Sequence, residues 1–397
     1  MTGAWRPGDH PGRRIFVTLF ENEPLQLELG GTLGPITVAF ETWGRPSSED
    51  GGPNNAVLVL HALTGDSHAA GSIEPGHLSP GWWDGLIGPG KGIDTDRWWV
   101  VCPNTLGGCQ GTTGPSSDAP DGTPWGSRFP TVTVRDQVAV EVAMASALGI
   151  RRWACVIGGS MGGMRALEWA VGHPQHVERL VFLASGAAAT AEQIALCAAQ
   201  AQAIRLDPGF RGGDYYDAPP GEGPHRGLGL ARRVGHVSYR SEAELSARFG
   251  RQAQTGEDPL AGGWASNPAP GGSPDWPAGG PAAGARYSIE SYLDHQAEKL
   301  VRRFDANTYL VLSRTMDHHD VGRGRGGVAA ALAQVTARTT VITIDSDRLY
   351  PPRLQEEVAS LIGGQVSRHV IDSPYGHDAF LIESTQIGEI VAAALAS

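Results

Sequence analysis

Cysteine is scarce in this chain. Four occur in 397 residues, and Cys102, Cys109, Cys155 and Cys197 are scattered. That excludes a disulfide-stapled scaffold and leaves no CxxC pair for a metal. Cys155 lies in an apolar run and reads as a small buried hydrophobe. Basic runs are missing too. Charged residues make 18% of the chain and its net charge is −11, so nothing marks a nucleic-acid partner. No apolar stretch approaches the length of a membrane span, about 20 residues. Residues 1–14 are polar and rich in Pro and Gly, without the apolar segment of a secretory signal. These absences lead us to expect a cytoplasmic protein with neither a nucleic-acid nor a membrane partner. Histidine is less sparse, at 13. His318 and His319, flanked by Asp317 and Asp320, read as a solvated polar turn after a helix. With no HExxH-type spacing, no metal is expected.

What is present is an alternation of strands and helices. Residues 36–43 (ITVAFETW) alternate with the period of a half-buried strand. Residues 56–61 and 97–102 are continuous apolar runs, which suits strands buried on both faces. Thr133, with Asp136 three residues on, reads as the cap of a following helix. A strand over 153–157, a helix over 161–171 and a strand over 179–185 come next. After residue 185 the pattern changes to helices alone, over 191–205, 227–237, 291–304 and 306–317. Between them, residues 261–285 are too rich in Pro and Gly for a packed element and are expected to form a mobile surface loop. Alternation then resumes, with strands over 338–345 and 366–371, a helix over 351–363 and a terminal helix over 378–396. Strands alternating with helices imply a mostly parallel sheet covered on both faces. The expected plan is an α/β core from residues 1–185 and 317–397, interrupted by a helical lid over 186–316.

The stretch VIGGSMGGMRALEW holds the chemical signal. Gly158-x-Ser160-x-Gly162 sits between an apolar run and a helical one. A glycine-rich turn is the plain reading. A nucleophile elbow, with Ser160 exposed on a strained strand-to-helix turn, is the sharper one. An elbow serine needs a base and an acid, in the chain order Ser, Asp or Glu, His. His377 follows the last strand and fits the base. Asp345 stands at the end of the strand before it and Asp347 in the loop beyond, where a carboxylate could turn toward His377; composition alone does not separate them. The oxyanion hole needs two N–H donors. Met161 follows the nucleophile, and Leu63 lies in the loop after the run over 56–61.

Taken with LVLHALTGDSHA, the long segment 81–117, RRFDANTYLVLSRTMD, DSDRLYPP and YGHDAFL, these residues are similar to the homoserine O-acetyltransferases. The resemblance covers nearly the whole chain. It implies the α/β-hydrolase fold and a homodimer built through the lids. It also implies transfer of an acetyl group from acetyl-CoA to the hydroxyl of L-homoserine in methionine biosynthesis. The reaction would be ping-pong through an acyl-Ser160 intermediate, with acetyl-CoA as co-substrate and no resident cofactor. It selects Asp347 over Asp345 and implies that Arg232 and Asp378 contact homoserine. Two departures stand out. Arg165 replaces the glutamine of many members, and the loop over 261–285 is unusually rich in Pro and Gly; both bear on lid geometry. The rival readings are a succinyl donor, a serine acceptor, an esterase-type serine hydrolase and a non-catalytic binding protein.

Overall fold

The computed structural model describes residues 3–47, 53–219, 221–260 and 285–397. All but the last residue of the expected loop over 261–285 lies outside that set. Eight strands form one sheet: β1 (Ile15–Leu19), β2 (Ile36–Trp43), β3 (Ala56–Leu60), β4 (Trp99–Pro103), β5 (Cys155–Gly159), β6 (Arg179–Leu183), β7 (Arg338–Ile344) and β8 (Val366–Ile371). Their order is β1-β2-β4-β3-β5-β6-β7-β8. Only β2 runs against the rest, pairing antiparallel with β1 and β4. Pairing from β4 to β8 is parallel throughout.

Parallel strands bury both faces, and the continuous apolar runs record this. Along β3, Leu58 and Leu60 pack with Val138, Leu167 and Val358, while Val57 and Val59 pack with Trp83, Ile387 and Val391 on the other face. The first layer comprises α1 (Val134–Ala147), α2 (Met161–Gly172) and the helices Val328–Leu332 and Pro352–Leu361; the C-terminal helix covers the second. α1 starts where the sequence predicts. The Thr133 side chain accepts the Asp136 N–H, and Asp136 Oδ2 accepts the Thr133 N–H at 2.8 Å.

Between β6 and β7 the described residues carry the helices α3 (Ala191–Arg205), α4 (His225–Tyr239), α5 (Glu242–Phe249), α6 (Ser288–Val301) and α7 (Ala306–Asp317). α3 packs on α4 and α7, and α4 on α6. These helices have their own apolar cluster, built on Ile204, Leu228, Phe304 and Tyr309, which reaches Leu63 and Met161 in the core. After it come α8 (Val328–Leu332) and α9 (Pro352–Leu361), then α10 (Ala379–Ile382) and α11 (Ser384–Ala396).

Sequence patterning overlooked β1, α5 and α8, which are short or exposed. Strand β2 is more buried than simple alternation implies, with Glu41 fully enclosed. The expected continuous terminal helix is bent by 67° between residues 376–382 and 384–396. His319 is not in a solvated turn. It is buried, its Nε2 lies 3.0 Å from the Gly186 carbonyl oxygen, and burial lowers its pKa to about 4. Among the described residues no single helix is long and apolar enough to cross a membrane.

Candidate active site

The turn from β5 into α2 carries Ser160 at φ 56° and ψ −125°. A non-glycine residue rarely adopts this conformation, and here its surroundings impose it. A Cβ on Gly158 would lie 2.3 Å from the Gly162 carbonyl oxygen, and one on Gly162 would lie 2.0 Å from that of Leu60. Glycines at both sites let α2 close onto β3 and β5. The Ser160 N–H donates to the Leu183 carbonyl at 3.1 Å, and Ser185 Oγ donates to the Ser160 carbonyl at 2.8 Å. The serine backbone is thus fixed while its side chain faces a cavity.

His377, in the turn after β8, places Nε2 2.9 Å from Ser160 Oγ. Its Nδ1 lies 2.6 Å from Asp347 Oδ2. Asp347 Oδ1 accepts the N–H groups of Leu349 at 2.9 Å and Tyr350 at 2.8 Å, which orients the carboxylate toward the imidazole. All three side chains are buried. Asp345, the alternative acid, is exposed and accepts the Ser373 N–H at 3.1 Å. The structure therefore brings Asp347, and not Asp345, to the histidine.

Met161 opens α2, so no carbonyl four residues earlier in the helix takes its N–H. Leu63 lines the same cavity as Ser160. The loop carrying Leu63 is braced from behind. His61 Nε2 accepts the Thr105 N–H at 3.0 Å, and burial pushes the pKa of this histidine down to about 3. Arg165, one turn into α2, donates to the His61 carbonyl at 2.5 Å and to Glu141 Oε1 at 2.7 Å, and Trp169 Nε1 donates to Glu141 Oε2 at 2.7 Å. Arg165 is fully buried, so it bears on this loop rather than on the lid.

The cavity has Ser160 and His377 on one side and α3, α4 and α7 on the other. Both Arg232, on α4, and Asp378 line it. Arg232 donates weakly to Thr64 Oγ1 at 3.4 Å, sits 5.6 Å from the Tyr239 ring centre, and has a buried Nε without a hydrogen-bond partner. Burial raises the Asp378 carboxyl above its ordinary range, against the pull of Arg232, His377 and Arg240. Arg240 lies 3.5 Å from Asp378 and also pairs with Glu244 at 2.7 Å. Motif reading missed Arg240 and Tyr350. For Arg240 no signal existed; Tyr350 stood in the DSDRLYPP motif, unremarked.

Outside this site Glu41, His68 and His77 are buried with potential ligand atoms within 4.8 Å of one another. The two imidazoles are stacked, 3.8 Å apart and 11° from parallel. Ring nitrogens bind metals through in-plane lone pairs, at about 2.0–2.1 Å for zinc. Parallel rings at this spacing do not aim two such lone pairs at one ion. The cluster is a hydrogen-bonded one, with His68 Nδ1 2.9 Å from Glu41 Oε2 and Ser67 Oγ donating to Glu41 Oε1 at 3.0 Å.

Comparison with known proteins agrees with this picture. The family model described as alpha/beta hydrolase fold matches residues 55–384. A homoserine O-acetyltransferase of Thermobifida fusca is 55% identical over 395 residues, covering 100% of this chain and 97% of its own. The crystal structure of a homoserine O-acetyltransferase from Bacillus anthracis superposes with a TM-score of 0.82 at 27% identity, covering 97% of each chain. That of an esterase, E22, superposes at 0.80 and 26%, covering 96% of this chain and 99% of its own. Fold therefore does not separate transfer from hydrolysis, whereas identity over the whole length does, and by it the chain belongs to the homoserine O-acetyltransferases, acyltransferases of the α/β-hydrolase fold.

Proposed function

We propose that this enzyme moves an acetyl group from acetyl-CoA to the hydroxyl of L-homoserine, through an acetyl-Ser160 intermediate, in methionine biosynthesis. The observation that carries the reading is Ser160 Oγ, 2.9 Å from His377 Nε2, in a cavity that Arg232 and Asp378 also line. His377 takes the serine proton as Oγ attacks the thioester carbon. The N–H groups of Leu63 and Met161 hold the oxyanion; one such donor typically contributes about 3 kcal/mol to lowering a barrier. His377 gives its proton to the departing CoA sulfur. Homoserine then enters, His377 takes its hydroxyl proton, and the acetyl group passes on while Oγ regains a proton. Asp347 holds the imidazole in the tautomer both halves need. The guanidinium of Arg232 suits the homoserine carboxylate, and Asp378 suits its ammonium. The chemistry calls for no resident cofactor, since acetyl-CoA is a co-substrate.

A homodimer through the lids is part of this reading. Ile194 and Leu206 on and just after α3, with Leu230 and Val237 seven residues apart on α4, are large exposed apolar groups of the lid. A dimer mass by light scattering, reduced to a monomer by Leu230→Glu with Val237→Glu, is the expected result.

The decisive experiment sets homoserine and serine against acetyl-CoA and succinyl-CoA. The expected outcome is acetyl-CoA consumption dependent on homoserine, and one acetyl group on the wild-type protein but not on Ser160→Ala by intact mass. CoA release at the same rate without homoserine would favour an esterase. No acyl-protein from either donor, with no turnover, would leave only a binding protein.

A further inference from the structure

Two guanidinium groups of the lid meet on one residue of the core, and only one of them has a part in the mechanism above. Arg232 Nη1 reaches Thr64 Oγ1 at 3.4 Å. Arg303, in the turn between α6 and α7, donates from Nη1 to the Thr64 carbonyl at 2.8 Å. Among the described residues this is the only side-chain hydrogen bond of Arg303, and it forms no ion pair. Its backbone is anchored separately, the carbonyl accepting Gln110 Nε2 at 2.7 Å. A half-buried guanidinium is thus held against a neutral carbonyl. Thr64 belongs to the turn that presents Leu63. The Gly65 N–H donates to the Ala62 carbonyl at 2.9 Å, closing a β-turn with Leu63 and Thr64 at its centre. His61 Nε2 accepts from Thr105, so Nδ1 carries the ring proton and donates to the same Ala62 carbonyl at 2.8 Å. Arg165 holds the His61 carbonyl from the core, and Arg303 holds the Thr64 carbonyl from the lid. The carbonyls on either side of Leu63 are fixed, while its own N–H enters none of these bonds and Leu63 lines the cavity.

We propose that Arg303 is a positioning residue for the oxyanion: by holding Thr64 from the lid, it fixes the direction of the Leu63 N–H. This rests on the acyl-transfer reading above. In acylation Ser160 Oγ bonds to the thioester carbon and the carbonyl electron pair moves onto oxygen; its return expels the CoA sulfur. In transfer the homoserine oxygen bonds to the same carbon, the pair moves onto the same oxygen, and its return expels Oγ. His377 moves the protons in both halves as described. A donor fixed before charge develops needs no reorganisation during the reaction. One N–H serves both halves, so a change at Arg303 acts on both alike. The charges of homoserine are met by Arg232 and Asp378, so its binding does not depend on Arg303.

Arg303→Met keeps an unbranched stem and removes the donor, whereas Arg303→Lys keeps a donor with shorter reach. In the Met variant acylation by acetyl-CoA and transfer to homoserine should each slow about tenfold, the net worth of one hydrogen bond, with the homoserine KM unchanged. The Lys variant should recover most of the lost rate. The readout that separates positioning from a scaffold role is the donor's own oxygen. A dithioester analogue of acetyl-CoA puts sulfur, a weak acceptor, where the oxyanion forms. The ratio of acylation rates, oxygen donor over sulfur donor, should fall in the Met variant, with Lys between it and wild type. The Lys variant, which keeps the charge, gives the same comparison on its own if the Met variant does not fold. Two results overturn the proposal: a ratio equal to that of wild type in the variants, or a Met variant slowed in transfer but not in acylation. A wild-type enzyme that forms no acetyl-serine would instead overturn the acyl-transfer reading on which it rests.

Discussion

Asp345 and Asp347 stand two residues apart, and their environments assign them different work. Asp347 is buried, receives two backbone N–H groups and faces the imidazole; Asp345 is exposed and ties down Ser373. Replacing Asp347 by Asn should lower kcat by about 10⁴, because the amide favours the wrong tautomer of His377. Asp345→Asn should cost no more than about tenfold, the net worth of one hydrogen bond. Equal losses would contradict the assignment. Arg232 offers a second measurement at this scale. Arg232→Lys keeps the charge and loses the planar fork, so the homoserine KM should rise about 10–100-fold, the range of a charge-assisted hydrogen bond. Acylation by acetyl-CoA should be spared. A variant slow in acylation but normal toward homoserine would place Arg232 on the CoA side.

Helix α2 is the element on which the site turns. Its first residue is Met161, and Arg165 one turn later holds the carbonyl of His61, two residues before Leu63. The two proposed oxyanion donors thus belong to elements cross-linked by one buried guanidinium. Glu141 balances that charge from α1. Arg165→Met would strand the Glu141 carboxylate, and breaking a buried pair from one side typically costs about 3–5 kcal/mol. Adding Glu141→Gln should recover part of that stability while activity stays low, because the loop brace is still absent. Urea unfolding and steady-state rates on the three proteins test this. Full recovery of activity in the double variant would mean that the brace has no bearing on the oxyanion loop.

Across the whole molecule, buried neutral histidines make stability depend on acid. His61 and His319 are buried, with pKa values lowered by burial from 6.5 to about 3 and about 4. Between those values and 6.5 the unfolded chain binds protons that the folded chain does not. Stability is therefore complete above about pH 6.5 and declines as the pH falls through the folded values. Denaturation midpoints at about pH 7.5 and about pH 5 should differ, and His319→Gln should narrow the gap. An unchanged gap in that variant would show that His319 does not contribute to the acid response. The lid enters at this scale as well. Its apolar cluster includes Leu63 and Met161, so ordering of the lid and placement of the oxyanion donors are mechanically joined.

Local chemistry by itself determined a good deal. Sequence patterning located seven of the eight sheet strands: residues 36–43 by alternation, and the central strands as continuous apolar runs, because strands buried on both faces carry no polar alternation. The Thr133 cap and the glycines around Ser160 act within a few residues, so α1 and the elbow were legible from spacing. Ser160 and His377 followed from the order of the motifs. The choice of Asp347, and the proximity of Arg232 and Asp378 to Ser160, were supplied by resemblance and not by spacing. Tertiary structure decided the rest. Residues 160, 347 and 377 meet because parallel strands β5, β7 and β8 end at the same edge of the sheet. Whether an arginine faces solvent or the core, as Arg165 does, depends on partners contributed by other segments, here Glu141 and the His61 carbonyl. Tyr350 is the clearest case: its neighbours in sequence describe only a turn, and packing alone brings its ring to His377.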